Sequence, residues 1–121
     1  MRILYVAPDQ PIPGTQGGSV HVASVADGLA ARGHDVHVLA APGEGGFPSG
    51  AVHWYDARPP MGMQKLRLLR SARVLTRARS VQPDVIIERY YNFGGEGLLA
   101  ASTVGALAVL EVNARIIDYA G

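Results

Sequence analysis

The feature that most constrains this chain is an alternation between short apolar runs and stretches of helical period. "ILYVA" (3–7) is an unbroken apolar run, the pattern of a strand buried on both faces. Val22, Val25, Ala26 and Leu29 then recur at i, i+3, i+4 and i+7, the spacing of one helix face. Ser19 stands where an N-cap is expected, and Gly33 in "ARGHD" where a helix ends in a left-handed residue. "VHVLAA" (36–41) and "AVHWY" (51–55) read as strands separated by the turn-rich "PGEGGFPSG". Residues 64–81 read as a second helix closed by Pro83, 84–89 as a fourth strand, 94–105 as a third helix and 106–113 as a fifth strand.

The order β-α-β-β-α-β-α-β predicts an α/β fold, a Rossmann-like doubly wound parallel sheet with helices on both faces. Right-handed crossovers give the strand order 3-2-1-4-5. Ligands bind such sheets beyond the carboxyl ends of the strands, where the order reverses between strands 1 and 4. That rule selects the loops 8–18, 88–95 and 111–120.

Composition narrows the class further. Hydrophobic residues make up 48 % and charged residues 17 % of the 121 residues, which fits a single folded domain. The net charge of +1 gives no electrostatic footprint for nucleic acid. There is no cysteine, so disulfides and thiolate metal sites are excluded. Ile3 to Ala7 is too short for the core of a signal peptide before Pro8. The expected location is cytoplasmic.

Four constellations carry possible chemistry. Gly17-Gly18-Ser19 opens the first helix, where free N–H groups and the positive helix end form an anion site. The spacing of "GTQGGS" fits neither the dinucleotide fingerprint nor a phosphate-binding P-loop. The pair either shapes a turn or lets a ligand approach the backbone. In "ERYYN" (88–92), Glu88 and Arg89 face the cleft or pair to hold the loop, and Tyr90 offers a flat face and a hydroxyl for a sugar or for packing. In "LEVNARIIDY" (110–119), Glu111 sits in an apolar strand and needs a partner, for which Arg89 is the candidate. Asn113 lies at that strand's carboxyl end, a carboxamide suited to hydroxylated ligands.

The fourth is the helix at 64–79, which holds six of the eleven basic residues and no acid. Arg67, Arg70, Arg73 and Arg77 fall within an arc of about 120°, with Leu68, Leu69, Ala72 and Leu75 expected to pack on the sheet. The arginine face is either solvated or directed to an anionic membrane. Among the histidines, His21 lies near the cleft; no pair has ligand spacing with a third donor beside it, so no metal site is expected.

"MRILYVAP", the "GG" loop, "LAARGHDVHVLAA", "QPDVIIERY" and "VLEVNA" occur in that order over nearly the whole chain. Together they resemble the N-terminal domain of a retaining glycosyltransferase of family 4, the N-terminal half of a GT-B fold. The resemblance implies a two-domain enzyme that passes a sugar from a nucleotide-diphospho-sugar to an acceptor hydroxyl without a cofactor or metal. Residues 1–121 are then the acceptor-side domain, truncated and inactive alone, and the nucleotide-sugar domain with its E-x7-E motif is expected elsewhere.

Carried over by position, Gly17 and Gly18 lie against the donor diphosphate and the acceptor, with Ser19 and His21 beside them. Glu88, Arg89, Tyr90 and Arg115 join them on the substrate side. Asn113, where many members carry a histidine, and Glu111 are the catalytic candidates. Leu107, Arg115 and Ala120 stand where relatives often have proline. The basic helix suggests a lipid-linked or cell-envelope glycan acceptor and peripheral contact with the inner face of the membrane. The competing possibility is a stand-alone Rossmann or flavodoxin-like module that binds a nucleotide or other ligand.

Overall fold

A computed structural model describes residues 1–15, 17–57, 67–89 and 96–111, without the side chains of 9, 67–72 and 96–99. In chain order the elements are β1 (Arg2–Ile12), α1 (Gly17–Ala31), β2 (Asp35–Pro42), β3 (His53–Asp56), α2 (Arg67–Val81), β4 (Val85–Arg89), α3 (Glu96–Val104) and β5 (Leu107–Glu111). The strands form one sheet in the order β3-β2-β1-β4-β5, and every adjacent pair is parallel. The expected α/β doubly wound order is therefore the observed one.

Burial explains why β1 takes the centre. Ile3, Leu4, Tyr5, Val6 and Ala7 are each no more than 2 % exposed, so both faces of the strand need a covering layer. Tyr5, Val36 and Val38 pack under Val22 and Ala26 of α1. Leu4, Val6 and Ile86 pack under Val74 and Ala78 of α2 and Ala100 and Ala101 of α3. Side chains alternate across a strand, so one sequence run supplies both cores.

β1 extends well past the expected residue 7. It continues through Pro8 and Pro11 to Ile12, and its register with β2 shifts between Val6 and Pro11 before Pro11↔Ala41 and Ile12↔Pro42 resume the pairing. The irregularity lets prolines, which lack the N–H donor, sit in a strand at all. Ser19 is not the N-cap of α1. The helix begins at Gly17, and Ser19 lies inside its first turn.

The packing face of α2 also differs from expectation. Among its described side chains the buried ones are Val74, Ala78 and Val81, with Leu75 packed beside them. Arg77 follows Val74 by three residues and precedes Val81 by four, so it shares their side of the helix. The cationic and packing faces overlap here, and Arg73 and Arg77 lean on the sheet edge. Arg73 Nη1 donates to the Asp56 carbonyl at 3.3 Å, and the Arg77 guanidinium lies 3.9 Å over the Tyr55 ring. The side chains of Arg67, Arg70, Leu68, Leu69 and Ala72 lie outside the described residues. No described helix is long and apolar enough to cross a membrane.

The end of α1 follows the expected device. Gly33 has φ +90°; its N–H reaches the Ala30 carbonyl at 3.0 Å and the His34 N–H reaches Leu29 at 3.2 Å. These are the two bonds of a Schellman termination, which turn the chain directly into β2. Gly33→Ala is expected to cost about 1–2 kcal/mol, since a Cβ strains the left-handed residue. Urea unfolding of the two proteins measures it.

Candidate functional site

The chain leaves β1 toward β2 and β3 on one side of the sheet and returns to β4 and β5 on the other. Crossovers diverge here, so the carboxyl ends of β1 and β4 border an opening. The N-terminal turn of α1 sits above it. The ends of β4 and β5 supply Arg89 and Glu111, which are register neighbours.

Glu111 is the centre of the polar cluster. Tyr5 Oη donates to its Oε1 at 2.5 Å, and Arg89 Nη1 donates to the same oxygen at 3.5 Å. His21 Nε2 lies 3.2 Å from Oε2, and a carboxylate can only accept, so the histidine donates. The cluster spans β1, β4, β5 and α1. Arg89 and Glu111 side chains are 15 % and 20 % exposed, so the pair is largely withdrawn from water. A guanidinium has five N–H donors, more than the contact with Glu111 uses.

Tyr5 is fully buried. Burial, first of all, pushes its hydroxyl pKa well above the ordinary tyrosine range, and the hydrogen bond to Glu111 and that residue's negative charge push it the same way. Arg89 opposes them. The phenol therefore remains a donor under all physiological conditions and holds the carboxylate in place.

The glycine pair divides. A Cβ on Gly18 would collide with the Gln10 side chain and lie 3.2 Å from Arg89 Nη2. Gly18 thus serves the close approach of α1 to β1 and β4. A Cβ on Gly17 would meet nothing within 4 Å among the described residues. No contact among them requires a glycine there, and its backbone N–H belongs to the orphan donors of the helix start. Ser19 points the other way. It is 1 % exposed, and its Oγ would lie 2.8 Å from a Cβ on Gly14, so it packs beneath the loop.

Glu88 and Arg89 do not act as a pair. Neighbouring strand residues face opposite sides. Glu88 registers with Val6, on the α2–α3 side of the sheet, and is 2 % exposed. Arg89 lies on the α1 side with Glu111. The structure thus joins Gly17, Gly18, His21, Arg89 and Glu111, and separates Ser19 and Glu88 from them. Tyr90, Asn113 and Arg115 lie outside the described residues. Tyr5 and Gln10 are additions to the site; their signal was a hydroxyl inside an apolar strand and a carboxamide just before the glycine loop.

A second cluster forms at the opposite, amino end of the sheet. Asp35, His37 and His53 bring one ligand atom each within 4.8 Å of one another. The absence of a third donor near any histidine pair, inferred from spacing, does not hold in space. Register joins residues 37 and 53 across β2 and β3.

Fold and cleft together define a Rossmann-like domain with a helix N-terminus and a part-buried arginine–carboxylate pair at its switch point. The sequence model of Glycosyltransferase Family 4 matches residues 15–109, from just before α1 into β5. The chain belongs to glycosyltransferase family 4. Comparison with curated proteins gives no match.

Tyr5→Phe is expected to lower stability by about 1–3 kcal/mol, the cost of taking a donor from a part-buried carboxylate. The pH dependence has a definite sign. The protonated phenol favours the folded state fully below the ordinary tyrosine pKa of about 10 and progressively less above it. Urea midpoints should fall more steeply with rising alkaline pH in the parent protein than in Tyr5→Phe.

Proposed function

We propose that this chain is the acceptor-side domain of an enzyme that transfers a sugar from a nucleotide-diphospho-sugar to an acceptor hydroxyl. The observation that carries the proposal is Gly17. Among the described residues it leaves open space at the N-terminus of α1, next in sequence to Gly18, which Arg89 approaches, at the switch point of a family 4 domain.

The chemistry follows from where charge develops. As the anomeric carbon–oxygen bond to the diphosphate breaks, negative charge gathers on the departing phosphate oxygens. The N–H groups of the first turn of α1 and the donors of Arg89 are suited to receive it. Glu111, held by Tyr5, Arg89 and His21, is a positioning residue: its lone pairs are already engaged. Transfer with retention forms the new bond on the face the phosphate leaves, and the acceptor proton passes to a phosphate oxygen. Asn113 is assigned to the reacting sugar, and Tyr90 and Arg115 to the acceptor side. Residues outside this chain are assigned the base and sugar of the donor.

A membrane acceptor is a secondary part of the proposal. It rests on the composition of α2, and two of its five arginines, Arg73 and Arg77, are engaged with Asp56 and Tyr55.

The test is Gly17→Ala in the full-length protein, assayed with labelled nucleotide-sugars. Unfolding free energy should change by less than about 1 kcal/mol, in the stabilising direction, because alanine favours a helix. Transfer should fall at least about tenfold as the methyl group blocks the diphosphate. Unchanged kcat/KM would remove the ligand role of this glycine. Arg89→Gln should cost about 10²–10³ in kcat if its donors meet developing charge.

A further inference from the structure

We propose that Asp35, His37 and His53 form a binding site for a divalent transition metal ion of the zinc class. The site is at the amino end of the sheet, away from the cleft, and owes nothing to the transferase chemistry.

Parallel register creates it. His37 and His53 are direct partners across β2 and β3, and their rings stack with centroids 4.6 Å apart. Asp35 precedes His37 by two residues and so shares its face. His37 Nε2 lies 3.0 Å and His53 Nε2 3.5 Å from Asp35 Oδ1. Zinc–ligand bonds of about 2.0–2.1 Å in a tetrahedron place donor atoms about 3.3 Å apart. The two distances bracket that edge. Two imidazoles and one carboxylate suit zinc-like ions better than magnesium or calcium, which take oxygen donors.

A second observation points to a ligand. His37 Nε2 is buried and makes no well-directed hydrogen bond among the described residues, although Asp35 is close. Its other nitrogen is committed: Nδ1 lies 2.7 Å from Tyr55 Oη. When Nδ1–H donates to the phenol oxygen, the Nε2 lone pair faces Asp35 and His53. Metal-bound histidines have their second nitrogen held in this way, which fixes the tautomer. Tyr55 is itself held, with Arg77 over its ring. Arg2 Nε takes the other carboxylate oxygen, Asp35 Oδ2, at 3.3 Å, leaving Oδ1 for the site. His53 is 56 % exposed, so binding would turn a solvent-facing ring until the two imidazole lone pairs converge.

The bound ion would clip the short edge strand β3 to β2. The experiment uses the full-length protein, stripped with a chelator and titrated with Zn²⁺ by calorimetry, and with Co²⁺ as a visible-absorption probe. One ion should bind, with imidazole-nitrogen ligation in the Co²⁺ spectrum, and the melting temperature should rise. His53→Ala and Asp35→Asn should each weaken binding at least tenfold while the far-ultraviolet circular dichroism stays unchanged. Tyr55→Phe should weaken it about tenfold or more as an outer partner. His34→Ala must leave it unchanged, because His34 Nδ1 lies 3.1 Å from the N-terminal amine and that pair is a separate candidate. Binding lost with His34→Ala and kept with His53→Ala overturns the proposal. So does no binding at all, which would leave Asp35 as an ion-pair partner of the two histidines only.

Discussion

Everything in this domain depends on β1 having a parallel partner on each side while the chain crosses over in opposite senses. Pairing to β2 and to β4 buries both faces of "ILYVA", and the reversal of direction leaves an opening at the carboxyl ends. Without full burial of that central run, neither helical layer would have a floor. Tyr5 shows how tightly core and cleft are joined. It lies in the deepest strand, and its hydroxyl reaches up to Glu111. A hydroxyl placed there without an acceptor would carry a desolvation cost of about 1–3 kcal/mol; with Glu111 it becomes the pin that sets the position of the carboxylate, and through it Arg89 and His21.

The site is therefore built on rigid elements rather than on loops. Glu111 and Arg89 lie on paired strands, His21 on a helix, and the glycine pair at that helix's start. The division of labour between the glycines follows from local crowding. Gly18 is needed because Gln10 and Arg89 close over it, and Gly17 faces space. A pair that looks uniform in sequence thus holds one residue required by packing and one that no contact among the described residues requires.

Much of the fold was legible in the sequence. Five apolar runs and three helical stretches gave the strand order, because parallel crossovers have one hand. The approach of Arg89 to Glu111 followed from a charge placed in an apolar strand. The rest required coordinates for physical reasons. The two prolines in β1 argue against a strand, and only the register shift with β2 admits them. The arginine arc of α2 was set opposite the packing face, yet long cationic side chains cover apolar edges and rings as Arg77 does. Glu88 and Arg89 belong to opposite faces, a consequence of the period of two that outweighs their adjacency. Asp35, His37 and His53 meet through strand register, which no local spacing encodes.

In the proposed function the N-terminus of α1 and Arg89 together receive the donor's diphosphate. The most direct measurement is a titration of the full-length protein, labelled with ¹⁵N-glycine and ¹⁵N-arginine, against a panel of nucleotide-diphospho-sugars. The amides of Gly17 and Gly18 and the Arg89 guanidinium should shift together with one saturation curve, while Gly33 and Gly105, at the far ends of α1 and α3, stay fixed. Saturable binding that leaves Gly17, Gly18 and Arg89 unmoved would contradict it.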